Sequence, residues 1–224
     1  MPDLSLADIA AQYAPRGGGG DFWRPEDGGG AVRVRLYRVV KDGKASLIGG
    51  QYKSHFWGGK YTDCSGPGCE TCRTVEMLKA SGSKEDRTKA GKAQANLRAL
   101  LVIVLPDDPI GFRLWEASTS IIQRILIILA TKGNNGLPVR FPKKEQDFPR
   151  FGELAELGAM AMCGPLGEDI AVSYDSKAPP QSKYDISKLD APPGGFKELP
   201  FKEEDAPDPM ETLRRIREAR AKKA

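Results

Sequence analysis

Residues 31–40 read AVRVRLYRVV, and the alternation within this stretch decides the fold class. Val32, Val34 and Leu36 fall on one side of an extended chain, Arg33, Arg35 and Tyr37 on the other. Period two with β-branched residues on one face is the pattern of a half-buried strand. A strand is therefore expected here, with an outward face that is basic and aromatic rather than merely polar.

Working outward, Asp42-Gly43-Lys44 reads as a hairpin turn and residues 45–57 as the returning strand. Residues 95–106, ANLRALLVIVLP, form the most apolar strand pattern in the chain, ended by Pro106. Residues 110–118 predict another strand, residues 118–130 a helix, and residues 132–136 its glycine-rich stop. Residues 168–186 carry two last strands around a proline turn. The stretch CETCRTVEMLKAS has helical spacing, residues 82–94 read as a charged loop, and residues 136–157 as a loop followed by a short helix. Short strands, a few helices and no repeated βαβ unit predict a mainly β fold, an antiparallel barrel or sandwich with added helices.

The chain has 224 residues, 40% of them hydrophobic, which suits one compact core with accessories. Residues 1–20 predict a flexible N-terminal arm, residues 21–190 the core with a metal subdomain at about 52–80, and residues 191–224 a flexible acidic linker followed by a basic helix. For that last helix Asp208 is the expected N-cap, Pro209 the first helical residue and Glu211 the partner in a capping box. The N-terminus lacks a basic start followed by an apolar run, and the apolar run at residues 121–130 contains Gln123 and Arg124. These features predict a soluble intracellular protein without a membrane partner.

Thiols inside cells stay reduced, so clustered cysteines there hold metal more often than they form disulfides. The sole histidine, His55, and three of the four cysteines, Cys64, Cys69 and Cys72, lie within one short stretch. Three thiolates and one imidazole close a tetrahedral shell, the composition of one structural zinc site. Gly66, Pro67 and Gly68 supply the tight turn before the Cys-x-x-Cys pair. Cys163, among small apolar residues, reads as core.

Interleaved with this cluster are Phe56, Trp57, Lys60 and Tyr61. The charge balance of +4 is uneven: residues 31–61 carry Arg33, Arg35, Arg38, Lys41, Lys44, Lys53 and Lys60 against Asp42 alone. Residues 196–212 reverse the sign, as an internal competitor for a basic surface would. Aromatic rings among cations suit a single nucleic-acid strand, because unstacked bases lie on rings while cations track phosphates. The candidate contacts are Arg33, Arg35, Tyr37, Lys53, Trp57, Lys60 and Tyr61, joined by Arg98, Arg113 and Trp115 from later strands. Phe22, Phe112 and Phe141 are expected in the core.

The ordered combination of FWRPEDGGGAVRVRL, His55, Cys64, Cys69-x-x-Cys72 and NLRALLVIVLPDDP resembles the zinc-containing, helix-destabilising single-stranded DNA-binding proteins of T-even-type bacteriophages, from about residue 21 to residue 186. The resemblance implies an OB-fold, an oligonucleotide-binding barrel with a zinc subdomain, and His55, Cys64, Cys69 and Cys72 as zinc ligands. It further implies no catalysis, single-stranded DNA as partner, and roles in phage DNA replication, recombination and repair within the host cytoplasm. Replication or recombination proteins would be recruited through the C-terminal segment. Two features depart from that family. Residues 1–20 hold a single basic side chain, Arg16, where the family has a basic arm, and the acidic segment is followed by a helix rich in arginine. No P-loop, GxGxxG, HExxH or nucleophile elbow is present, so an enzyme is not expected. A zinc-ribbon adaptor binding a protein partner and a single-stranded RNA-binding module remain the alternatives.

Overall fold

The computed structural model describes residues 22–58, 60–109, 111–135, 137, 139–179 and 182–221. The arm expected over residues 1–20 and the side chain of Lys60 lie outside these residues. An antiparallel sheet forms the body, in the order β5-β4-β6-β1-β8-β9, with β7 also pairing to β6. The strands are β1 (Val32–Tyr37), β4 (Gly50–Trp57), β5 (Lys60–Asp63), β6 (Asn96–Val104), β7 (Arg113–Ser118), β8 (Asp169–Tyr174) and β9 (Tyr184–Lys188). A separate hairpin joins β2 (Val39–Lys41) to β3 (Lys44–Ser46) through Asp42 and Gly43, both at positive φ. Two successive positive-φ residues give the turn a twist that matches the flanking strands. The single returning strand expected over residues 45–57 is thus split into β3 and β4.

The sheet is not closed into the expected barrel. The segment at Trp23–Asp27 touches β7 and β8 through isolated bridges, Trp23 to Trp115 and Asp27 to Tyr174, rather than through a continuous ladder. Of the five α-helices among the described residues, α1 (Glu70–Ala80) and α2 (Lys84–Ala93) form a pair beside β4, and α3 (Thr119–Gly133) and α4 (Phe148–Met162) pack together behind the sheet. The last, α5 (Pro209–Ala221), packs on β4 and β6. None is long and apolar enough to cross a membrane.

The alternation in β1 places Val34 and Leu36 where expected, in the main core with Leu101, Ile103, Ile125, Leu129 and Met162. The opposite face of β1 is buried as well, which corrects the expectation for Arg35 and Tyr37. Arg35 is fully buried, its Nε donating to Asp169 at 2.8 Å and its Nη1 to the carbonyls of Pro165 and Lys197. Tyr37 joins Val102, Val104, Leu114 and Leu199 in a second core, against which Phe22, Phe112 and Phe201 pack. A charged face becomes interior when a matched carboxylate and carbonyls from distant chain replace its water.

Within residues 191–208, expected to be a flexible linker, the stretch from Phe196 onward packs instead against the sheet. The Leu199 amide donates to the Pro165 carbonyl, and Glu203 takes a bidentate pair from Arg38. Asp208 of the same segment caps α5 through Met210 and Glu211, and also meets Lys41. Glu211 pairs with Arg214 and Arg215 rather than completing a capping box. Residues 84–93 are helical, not loop, because Ser83 caps α2 and Ala90 and Ala93 pack against Val75. The predicted short helix after residue 136 is the 15-residue α4, started by Pro149. Cys163 lies in the main core as expected, with Phe141 half-buried against it, and burial pushes the Cys163 thiol up to about 12.

Candidate functional site

Three elements bring the histidine and cysteines together. His55 sits on β4, Cys64 just after β5, Cys69 at the start of α1 and Cys72 in its first turn. The turn between Cys64 and Cys69 uses Gly66 and Gly68, at φ 79 and 88, conformations in which a side chain is strained. The Cys69 amide closes this turn on the Gly66 carbonyl. His55 is 1% exposed, and Cys69 is buried.

The four ligand atoms lie within 4.8 Å of one another. His55 Nε2 is 3.4 Å from Cys69 Sγ and 3.5 Å from Cys72 Sγ, and Cys64 Sγ is 3.6 Å from Cys72 Sγ. These residues are close enough to hold one metal ion. His55 Nδ1 donates to the carbonyl of Ala93 at 2.8 Å. A carbonyl only accepts, so the proton is on Nδ1 and the Nε2 lone pair faces the sulfurs, as a metal ligand requires.

With no cation among them, part of this cluster is held in its protonated form. The Cys72 amide N–H, more than any other group, lowers the Cys69 thiol to about 6. The thiol hydrogen bond with Cys64 is the main influence that pushes Cys72 up to about 11. Desolvation pulls His55 down, but the Ala93 carbonyl and the thiols of Cys64 and Cys69 outweigh it and leave the imidazole above its usual value. Three adjacent sulfurs cannot all ionise without a cation among them, and a divalent ion held there would supply it.

Beyond the cluster, the β4–β5 hairpin displays aromatic rings. Phe56 and Tyr61 are cross-strand partners with centroids 4.9 Å apart, and Tyr61 is 64% exposed. The Arg98 guanidinium lies 5.1 Å over the Tyr61 ring. Trp57, also exposed, follows Phe56 in the strand and so faces the other side of the hairpin from Tyr61. Next to the Phe56–Tyr61 face opens a cleft of about 900 Å³, whose walls include Tyr52, Tyr61, Arg98, Tyr174, Tyr184 and Arg217. Its charges are mixed, with Arg24, Arg98 and Arg217 beside Glu26, Asp27, Asp63 and Glu116; Arg98 lies 3.5 Å from Glu116, and Arg217 pairs with Asp63 at 2.7 Å. Burial raises the phenol of Tyr184 and, aided by Glu116, that of Tyr52, so both rings stay neutral.

The predicted contacts therefore separate. Tyr61 and Arg98 meet at the cleft, while Lys53 and Trp57 are exposed elsewhere on the hairpin. Arg33 is tied to Asp107 and Asp169, and Arg113 to Asp108. Trp115 is buried, edge-on to Trp23 at 5.2 Å, so like Arg35 and Tyr37 it presents no surface to a ligand. Its alternation places it on the Leu101 and Ile103 side of the sheet, which is core. Sequence reasoning missed Tyr52, Tyr174, Tyr184 and Arg217. Period two within GQYKSHFW already groups Tyr52 with Phe56, but β8, β9 and α5 reach the cleft only through tertiary packing. No model of a known protein family matches the chain, and no curated protein matches it.

Proposed function

We propose that this chain binds single-stranded DNA, with one structural zinc ion fixing the hairpin that carries the binding surface. The observation that carries this reading is Tyr61, exposed at the mouth of the cleft with Arg98 over its ring. An exposed ring beside a cation offers a stacking platform, and bases stack on such rings at about 1–3 kcal/mol each. Arginine beside the ring supplies charge for the phosphate that follows the stacked base.

Zinc fits the metal cluster. Zn–S bonds of about 2.3 Å and Zn–N bonds of about 2.0 Å set tetrahedral edges of roughly 3.8 Å between sulfurs and roughly 3.5 Å from sulfur to nitrogen. The separations of 3.6, 3.4 and 3.5 Å lie close to those edges. Four protein ligands leave no open position for substrate, which favours a structural over a catalytic role. In this reading the sheet is an OB-fold left open between β7 and β8, consistent with the resemblance to phage helix-destabilising proteins. The protein would then coat unwound DNA during replication, recombination and repair.

The test is a titration of the zinc-loaded protein with fluorescent oligo(dT), the matching RNA and a duplex, across several salt concentrations. Binding to the single strand in preference to the duplex, weakening as salt rises, is the expected result. Preference for RNA would support the RNA-binding alternative. No nucleic-acid binding at any salt would leave the zinc adaptor.

A further inference from the structure

The C-terminal helix is built into the fold, not loosely appended. Leu213 and Ile216 of α5 are buried, and Asp208 caps its first turn. Its seat is cut by two glycines at the start of β4. A Cβ on Gly49 would overlap Pro209, and one on Gly50 would overlap Met210. From this seat the helix reaches the cleft, which Leu213, Ile216 and Arg217 help to line.

Arg217 repeats the arrangement found at Tyr61. Its guanidinium lies 4.8 Å over the ring of Tyr52, as that of Arg98 lies 5.1 Å over Tyr61. Tyr52 and Arg98 are cross-strand partners on β4 and β6, so the two arginine–tyrosine pairs stand side by side. The second pair exists only because α5 supplies its cation. The ion pair from Arg217 to Asp63 is partly open to water, with side chains 38% and 45% exposed. Such pairs are weak, so a phosphate oxygen can take the place of the Asp63 carboxylate.

We propose that α5 is the second wall of the cleft and that Arg217 is a ligand-binding residue, holding a backbone phosphate of a single-stranded polynucleotide. This rests on the function proposed above and adds to it a role for the C-terminal helix opposite to that of a competing tail. A competitor would be displaced by the strand, whereas a wall is needed for the strand to bind.

The experiment compares full-length, zinc-loaded wild type with Arg217→Gln, Arg214→Gln and the unseated double variant Leu213→Ser/Ile216→Ser. Affinity for oligo(dT) is measured at four or more salt concentrations, with circular dichroism to verify folding. Arg217→Gln should weaken binding and lower the slope of log affinity against log salt by about 0.7, the loss expected for one phosphate contact on a single strand. Unseating α5 should weaken binding at least as much. Arg214, turned toward Glu211 and Glu218, should leave both affinity and slope unchanged. Tighter binding by the unseated variant would make α5 a lid and overturn the proposal. An unchanged slope in Arg217→Gln would overturn it too, and if Tyr61→Ala still weakened binding the function itself would stand. If the double variant does not fold, Arg217→Gln alone decides, because it keeps both seating residues. Wild type that binds no oligonucleotide overturns this proposal and the function together.

Discussion

His55 Nδ1 donates to the Ala93 carbonyl at 2.8 Å, joining β4 to the last residue of α2 across 38 positions of the chain. One hydrogen bond thus fixes the tautomer of this candidate metal ligand and ties the second helix of the α1–α2 pair to the sheet. Apart from Val75, Leu78, Ala90 and Ala93, this pair has little apolar packing of its own. A metal ion held there would accordingly contribute folding energy.

His55→Ala or Cys69→Ser should therefore lower metal content and thermal stability together. Loss of a structural metal belongs to the class of substitutions costing more than about 4 kcal/mol. For a chain of this size that corresponds to a drop in Tm of about 8–16 °C. The check is zinc content by atomic absorption alongside thermal melts. Protein that stays fully folded after complete metal removal would refute a structural role.

Tyr61→Ala and Arg98→Gln should weaken oligo(dT) binding in different ways. Loss of the ring should cost roughly 1–3 kcal/mol with little change in salt slope. Loss of the charge should reduce the slope by about 0.7. Affinity measured over a salt series separates the two, and identical salt behaviour in both variants would contradict the division of roles.

Arg35→Ala should destabilise the fold rather than flatten any salt dependence. Its guanidinium is buried against Asp169, and removing one partner of a buried pair costs about 3–5 kcal/mol. Urea denaturation measures the loss. A stable variant with reduced salt slope would restore Arg35 to the binding surface.

Asp208 makes the docking of α5 sensitive to acid. The Glu211 amide, which donates to its carboxylate, is the main influence holding its pKa below 3.8. A carboxylate with a depressed folded pKa stabilises fully above its unfolded value, and the contribution disappears as pH falls through the folded value. Asp208→Ala should cost about 1 kcal/mol at neutral pH, or roughly 2–4 °C, kept low because the carboxylate is partly exposed and screened. The difference in Tm between wild type and variant should shrink as pH drops below 3.8. A constant difference from neutral pH to pH 3 would show that the carboxylate charge plays no part in the cap.

The sequence by itself determined whatever depends on near neighbours and ligand chemistry. The alternation of Val32, Val34 and Leu36, the apolar run of β6, the helix beginning near Ser118, the Asp208 cap and the gathering of His55 with Cys64, Cys69 and Cys72 follow from spacing, because strand period, cap geometry and a closed four-ligand set are short-range facts. Only the tertiary structure decided which polar faces meet water. Arg35 is interior because Asp169, 134 residues away, neutralises it there, and no local pattern carries that pairing. Residues 196–208 became part of the body because Leu199 completes a core whose other walls are β1, β6 and β7. The cleft depended on the same kind of event. Tyr52, Arg98, Tyr184 and Arg217 come from four separated segments, and burial of Leu213 and Ile216 sets α5 in place. Hydrophobic burial is non-directional and acts between any surfaces that fit, so it leaves little trace in sequence spacing until the chain has folded.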